Sequence, residues 1–96
     1  MRHAETFAEL RARVVDGPGV VDSSIRAAAF AGTGLPDDIS AYVDKVVHHA
    51  YKVTDADVDG LKAAGYSEDA VFEITVAAAV GAGVRRYEAG VNAMEA

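Results

Sequence analysis

The chain has 96 residues, 51% of them apolar, with a formal net charge of −6 and no cysteine. No basic patch is present to neutralise a phosphate backbone, so nucleic-acid binding is not expected. The missing thiol excludes disulfides, thiolate metal sites and thiol redox chemistry in this chain.

A chain this short is expected to form one domain over residues 1–96. It buries only roughly 60–65% of its unfolded surface on folding. Ala and Val carry most of the hydrophobicity and only three residues are Phe, which makes for a thin core. Self-association would add burial. The longest uncharged run, Ile74 to Val84, is eleven residues, and a membrane span needs about 20. Membrane insertion is therefore not expected. The opening Met-Arg-His-Ala-Glu holds no apolar signal core, and a cytoplasmic location is the expectation.

Five helices are predicted in chain order. Thr6-Phe-Ala-Glu9 fits a capping box that starts a helix running to about Val15. Asp16-Gly-Pro-Gly19 ends it. Asp22 or Ser23 caps a short second helix, Ser24 to about Ala31. Gly32-Thr-Gly-Leu-Pro36 is the next break, and Pro36 suits the first turn of a third helix reaching about Lys52. Thr54-Asp-Ala-Asp57 caps a fourth helix that ends at Gly65, a residue suited to the position just past a helix C-terminus. Ser67 caps the fifth, which runs to about Met94. No segment alternates like a strand. The fold class is all-α, with a long Ala/Gly-rich C-terminal helix and no internal repeat.

The segment richest in reactive side chains is Asp44-Lys-Val-Val-His-His-Ala-Tyr-Lys-Val-Thr-Asp55. Ile39, Val43, Val46, Ala50 and Val53 follow helical spacing and define a buried stripe, with Tyr42 inside it. Measured from Val46 at about 100° per residue, His48 points roughly 200° away, beside Asp44. His49 lies about 60° off centre, at the edge of the core. A helical histidine pair for zinc needs i, i+4 spacing, so these adjacent histidines do not make one. His49 is the candidate acid or base, and no cofactor or metal is expected.

On the fifth helix Ala77, Val80, Val84, Tyr87 and Val91 share one stripe, and Glu73 falls on the same line. A carboxylate there must meet a cation, gain a proton or sit at a cleft. Arg85 and Arg86 lie too far along the same helix, so another helix or subunit has to bring a cation. Ala79, Gly83 and Gly90 form a small-residue track in line with Phe72. Glycine costs roughly 1 kcal/mol against Ala inside a helix, so Gly81, Gly83 and Gly90 in one helix need compensation, and close approach of another backbone is the usual gain. A helix apolar nearly all round is a buried helix. Four short helices cannot surround it, which predicts a homo-oligomer interface. The glycine pairs lack the third Gly, the preceding strand and the Lys-Ser/Thr of a phosphate loop.

Val53-Thr-Asp-Ala-Asp-Val-Asp-Gly-Leu-Lys-Ala-Ala-Gly-Tyr-Ser-Glu-Asp-Ala-Val-Phe-Glu73, followed by the Ala-rich run to Arg85-Arg86-Tyr87, resembles the alkylhydroperoxidase-D-like / carboxymuconolactone decarboxylase superfamily. The likeness covers about 45 residues from Val53; the first 52 residues match only loosely. It implies an all-helical subunit in a homo-oligomer with interlocked helices. Peroxidase members use a Cys-x-x-Cys pair, which this chain lacks, so thiol peroxidase activity does not carry over. The decarboxylase branch acts on a lactone without thiols, and none of its residues is placed here. Two functions follow as expectations. One is a non-catalytic oligomeric module that accompanies or scaffolds another protein. The other is a cofactor-independent acid/base enzyme of decarboxylase, isomerase or lactone hydrolase type. Its inter-subunit site would use His49 as acid or base, Glu73 as its partner, and Tyr42 or an Arg to hold a substrate carboxylate. Binding of a small ligand without chemistry is a third possibility.

Overall fold

A computed structural model describes residues 2–95, with side chains from residue 5 onward. Five α-helices follow one another: α1 (Arg2–Arg11), α2 (Ser23–Ala31), α3 (Asp37–His49), α4 (Asp55–Ala63) and α5 (Glu68–Glu95). A π-helical turn, Ala12–Asp16, extends α1, and a 3-10 turn, Ala50–Lys52, follows α3. The described residues contain no strand.

Local chemistry explains most helix ends. The Asp22 side chain accepts from Ser24 N–H and caps α2. Thr54 and Asp57 form a reciprocal capping box at α4. Ser67 Oγ accepts from Ala70 N–H at the start of α5. Gly65, at φ +106°, lets the chain turn out of α4. There Tyr66 N–H bonds Leu61 C=O and Gly65 N–H bonds Lys62 C=O, the paired pattern of a left-handed helix stop. The N-terminal expectation is corrected: α1 begins at Arg2, so Thr6 lies inside it and is not its cap. Helical propensity before Thr6 continues without a breaker, and the Thr6–Glu9 spacing was a coincidence of pattern.

One apolar core joins α2, α3, α4 and α5, with Ala29, Ile39, Ile74, Ala77 and Ala78 fully shielded. The α3 stripe is Ile39, Tyr42, Val43, Val46 and Val47, with Ala50 exposed beyond the helix end. On α5 the buried residues are Ala70, Val71, Ile74, Ala77, Ala78, Gly81 and Ala82. This corrects the expected stripe: Val80 and Val84 are only half-buried and Tyr87 is exposed. The buried face is centred near Gly81, well to one side of the line through Val84. The reason is the closest helix crossing. A Cβ on Gly81 would lie 2.7 Å from the carbonyl carbon of Phe30, so only glycine lets α2 approach there. Of the three glycines expected to need a close backbone approach, Gly81 has it; Gly83 and Gly90 are exposed, and among the described residues nothing lies within 4 Å of a Cβ built on either.

The molecule measures 45 × 28 × 20 Å. At 1.5 Å per residue, the 28 residues of α5 account for nearly all of the long dimension. Burial on α5 ends at Ala82. Beyond it, α5 is held by Arg85 and Arg86, which donate to Phe30 C=O and Val47 C=O, and by the edge-to-face contact of Tyr87 with Phe7 on α1 at 4.9 Å.

Candidate functional site

The three residues expected to carry chemistry take up three unrelated positions. Glu73 is half-buried, one turn into α5. Its carboxylate accepts hydrogen bonds from Val20 N–H at 2.9 Å and Val21 N–H at 3.0 Å. The buried Arg26 of α2 donates from Nε to Val21 C=O at 3.1 Å, which fixes the next peptide group of the loop. The Val20 N–H holds the Glu73 pKa below its ordinary value. Desolvation opposes this, and the Val21 N–H and the Arg26 charge reinforce it. Glu73 is therefore an ionised anchor for the loop between α1 and α2. Its oxygens are committed to backbone N–H groups, with a cation from another helix close by. A Cβ on Gly19 would stand 2.9 Å from the Glu73 carboxyl carbon, so the loop passes directly over this side chain.

Tyr42 is buried on α3, and its hydroxyl lies 2.7 Å from Thr75 Oγ1 on α5. The single Thr75 hydroxyl proton goes to Val71 C=O at 2.6 Å, so Tyr42 is the donor to Thr75. Glu73 and Thr75 are two residues apart on α5 and point about 200° from each other. Tyr42 and Glu73 therefore sit on opposite sides of α5.

His49 is exposed, which corrects the expected position at the core edge. Its backbone leaves the helical region, at φ −142° and ψ 45°, and this turns the ring outward. It faces its neighbours His48 and Tyr51 at ring distances of 6.5 and 6.4 Å. Among the described residues it makes no hydrogen bond. His48 stands beside Asp44 at 3.7 Å on the wet face, as expected. The structure does not bring His49, Glu73 and Tyr42 together within one chain.

A groove of about 360 Å³ runs between α3 and α4. Its polar groups are already paired. Lys45 Nζ bonds both Asp57 oxygens, at 2.9 and 3.0 Å. That contact, ahead of the Thr54 N–H bond, lowers the Asp57 pKa. Tyr66 donates to Asp38 at its rim, at 2.8 Å to the nearer oxygen, and the carboxylate raises the Tyr66 pKa. Among the described residues, no group of three or more His, Asp or Glu side chains could hold a metal ion.

Two roles escaped the sequence reading. Arg85 donates to Phe30 C=O in the last turn of α2, and Arg86 donates to Val47 C=O in the last turn of α3. Helix C-termini leave their last carbonyls without intrahelical donors, and cations are favourable there. The adjacent arginines of α5 thus close two other helices. The one signal in the sequence was that α2 has no basic residue in its own last turn.

What remains uncommitted is a surface. The side of α5 facing away from the core presents Phe72, Val76, Ala79 and Gly83. Phe72 is 67% exposed. No charged residue interrupts this face for three turns. No helix among the described residues is long and apolar enough to cross a membrane, so the face is not part of a helical span.

No family model, curated protein or solved structure gives a significant match to the chain.

Proposed function

We propose that this chain is a non-catalytic helical module that works by association, with the outer face of α5 as its contact surface. It would form a homo-oligomer and serve as an accessory or scaffold for another protein. The observation that carries this reading is the uncharged outer face, with a largely exposed Phe72 on a helix whose opposite face is fully packed. A contiguous exposed apolar patch on a helix face marks an interaction site. The resemblance of the segment from Val53 to the alkylhydroperoxidase-D-like / carboxymuconolactone decarboxylase superfamily, which implies a homo-oligomer, supports the association part of this reading. The acid/base enzyme reading has less support. Glu73 is spent on two backbone N–H groups, Tyr42 donates to Thr75, and His49 stands apart from both.

The test is native mass by size-exclusion chromatography with light scattering. The expected mass is at least twice the 10.0 kDa of one chain. Phe72→Glu should return it to one chain with unchanged helical circular dichroism. A wild-type protein that stays monomeric at high concentration overturns the reading.

A further inference from the structure

A second cavity, apart from the α3–α4 groove, gathers charge of one sign. It holds about 240 Å³ where the buried part of α5 ends, and is lined by Val47, His48, Ala82, Arg85, Arg86 and Ala89. Arg85 and Arg86 are the only adjacent pair of Lys or Arg residues in a chain of net charge −6. Elsewhere Lys45 is paired with Asp57, and Arg26 has the Glu73 carboxylate nearby. Among the described residues neither Arg85 nor Arg86 has a carboxylate within ion-pair distance, and none that lines the cavity is acidic. Their bonds to Phe30 C=O and Val47 C=O use one N–H each. A guanidinium is a planar fork of several donors, so most of each fork is unspent. Both forks are nonetheless held in place. A Cβ on Gly32 would stand 3.2 Å from Arg85 Nη2, so this side chain is seated on the end of α2.

We infer that this cavity is a binding site for a small organic monoanion, a carboxylate carried on a compact apolar body. Charge sets the valence. The two guanidiniums bring two positive charges, and the C-termini of α2 and α3 that they cap return roughly half a negative charge each. About one positive charge is left for a ligand to match. His48 at the rim stands beside Asp44 at 3.7 Å, so its protonation adds no net charge to the site. Shape sets the rest. Planar guanidinium forks match the two oxygens of a carboxylate. Val47 and Ala82 are buried, and Ala89 continues the same wall, so the body behind the carboxylate is apolar. Because both forks are anchored before a ligand arrives, little side-chain freedom is lost on binding. The site uses none of Phe72, Val76, Ala79 or Gly83 and stands whether or not the chain associates through them.

The probe is benzoate, titrated into the isotope-labelled full chain and followed by two-dimensional NMR. Saturable shifts are expected at the Arg85 and Arg86 Nε–H signals and at the Ala82 and Ala89 amides, with a Kd of about 1 mM or tighter. Benzamide, the neutral match in shape, should bind at least about tenfold more weakly, the worth of a charge-assisted hydrogen bond. Arg86→Gln keeps a donor for Val47 C=O and loses the charge. It should weaken benzoate by a similar factor with unchanged helical circular dichroism. Arg86→Lys restores the charge without the fork and should recover only part of the affinity. Lys62→Gln, which removes an exposed charge on α4, should change nothing. The comparison of benzoate with benzamide needs no variant, so it decides the matter even where a substitution fails to fold. The absence of saturable shifts at these positions overturns the site. Equal binding of benzamide overturns recognition of the anion, as does an equal loss in Arg86→Gln and Lys62→Gln. Inorganic phosphate that displaces benzoate at equal concentration overturns the assignment to an organic carboxylate.

Discussion

The inner and outer faces of α5 are built from nearly the same residues and do opposite things. The inner face holds Ile74, Ala77, Ala78 and Gly81, all buried; the outer holds Phe72, Val76, Ala79 and Gly83, exposed or half-exposed. Each pairs small residues with one larger side chain. Hydrophobicity alone does not distinguish them, and contact geometry does. Gly81 meets the Phe30 backbone, whereas Gly83 meets nothing. The lesson is that an apolar residue on a long helix acquires its role from the element that crosses it.

The sharpest way to break the comparison is to truncate one large residue on each face. Ile74→Ala should cost about 2–5 kcal/mol in urea denaturation, because Ile74 is fully shielded and its removal leaves a cavity. Phe72→Ala should change monomer stability by less than about 0.5 kcal/mol and act on native mass instead. Next come the two glycines. Gly81→Ala should cost about 1–3 kcal/mol by forcing α2 away from α5. Gly83→Ala should raise the melting temperature of the monomer, since helix propensity is then the only term.

Glu73→Gln tests the flank between the two faces. It should lower stability by about 1–2 kcal/mol at pH 7, the worth of charge-assisted bonds to Val20 and Val21 N–H. The sign of its pH dependence follows from the lowered pKa. The Glu73 contribution is fully present above the ordinary value of 4.5 and is lost as pH falls through the depressed folded value. Urea midpoints of wild type and Glu73→Gln should therefore converge on acidification below about pH 4.5. Tyr42→Phe should cost only about 1 kcal/mol, because Thr75 keeps its bond to Val71 C=O and no buried donor is stranded.

These pairs also mark what was legible in the sequence. Caps and stops spanning a few residues were readable, as Asp22, Thr54 with Asp57, Gly65 and Ser67 show, because both partners lie within five positions. The all-α class followed from them. The phase of the α5 stripe was not readable. It turns on Gly81, whose role comes from Phe30, fifty-one positions away. His49 was misplaced because α3 gives way to a 3-10 turn directly after it, and helical angles no longer apply. Glu73 was recognised as a carboxylate in need of partners. That backbone N–H groups of a distant loop would be those partners has no signature in side-chain pattern. The same holds for Arg85 and Arg86, whose acceptors are carbonyls and so carry no letter in the sequence.

The clasp at Glu73 has a consequence for how freely the chain can vary. It grips Val20 and Val21 through N–H groups that nineteen of the twenty amino acids possess, so it is blind to side chains. Most substitutions at the 65% exposed Val20 should pass unnoticed, while proline, which lacks the donor, should release that end of the loop. Gly19 is the counterpart: a side chain there would meet the Glu73 carboxylate, which would have to shift off its place under the loop. The loop is thus a surface on which residues can be exchanged while its path stays fixed.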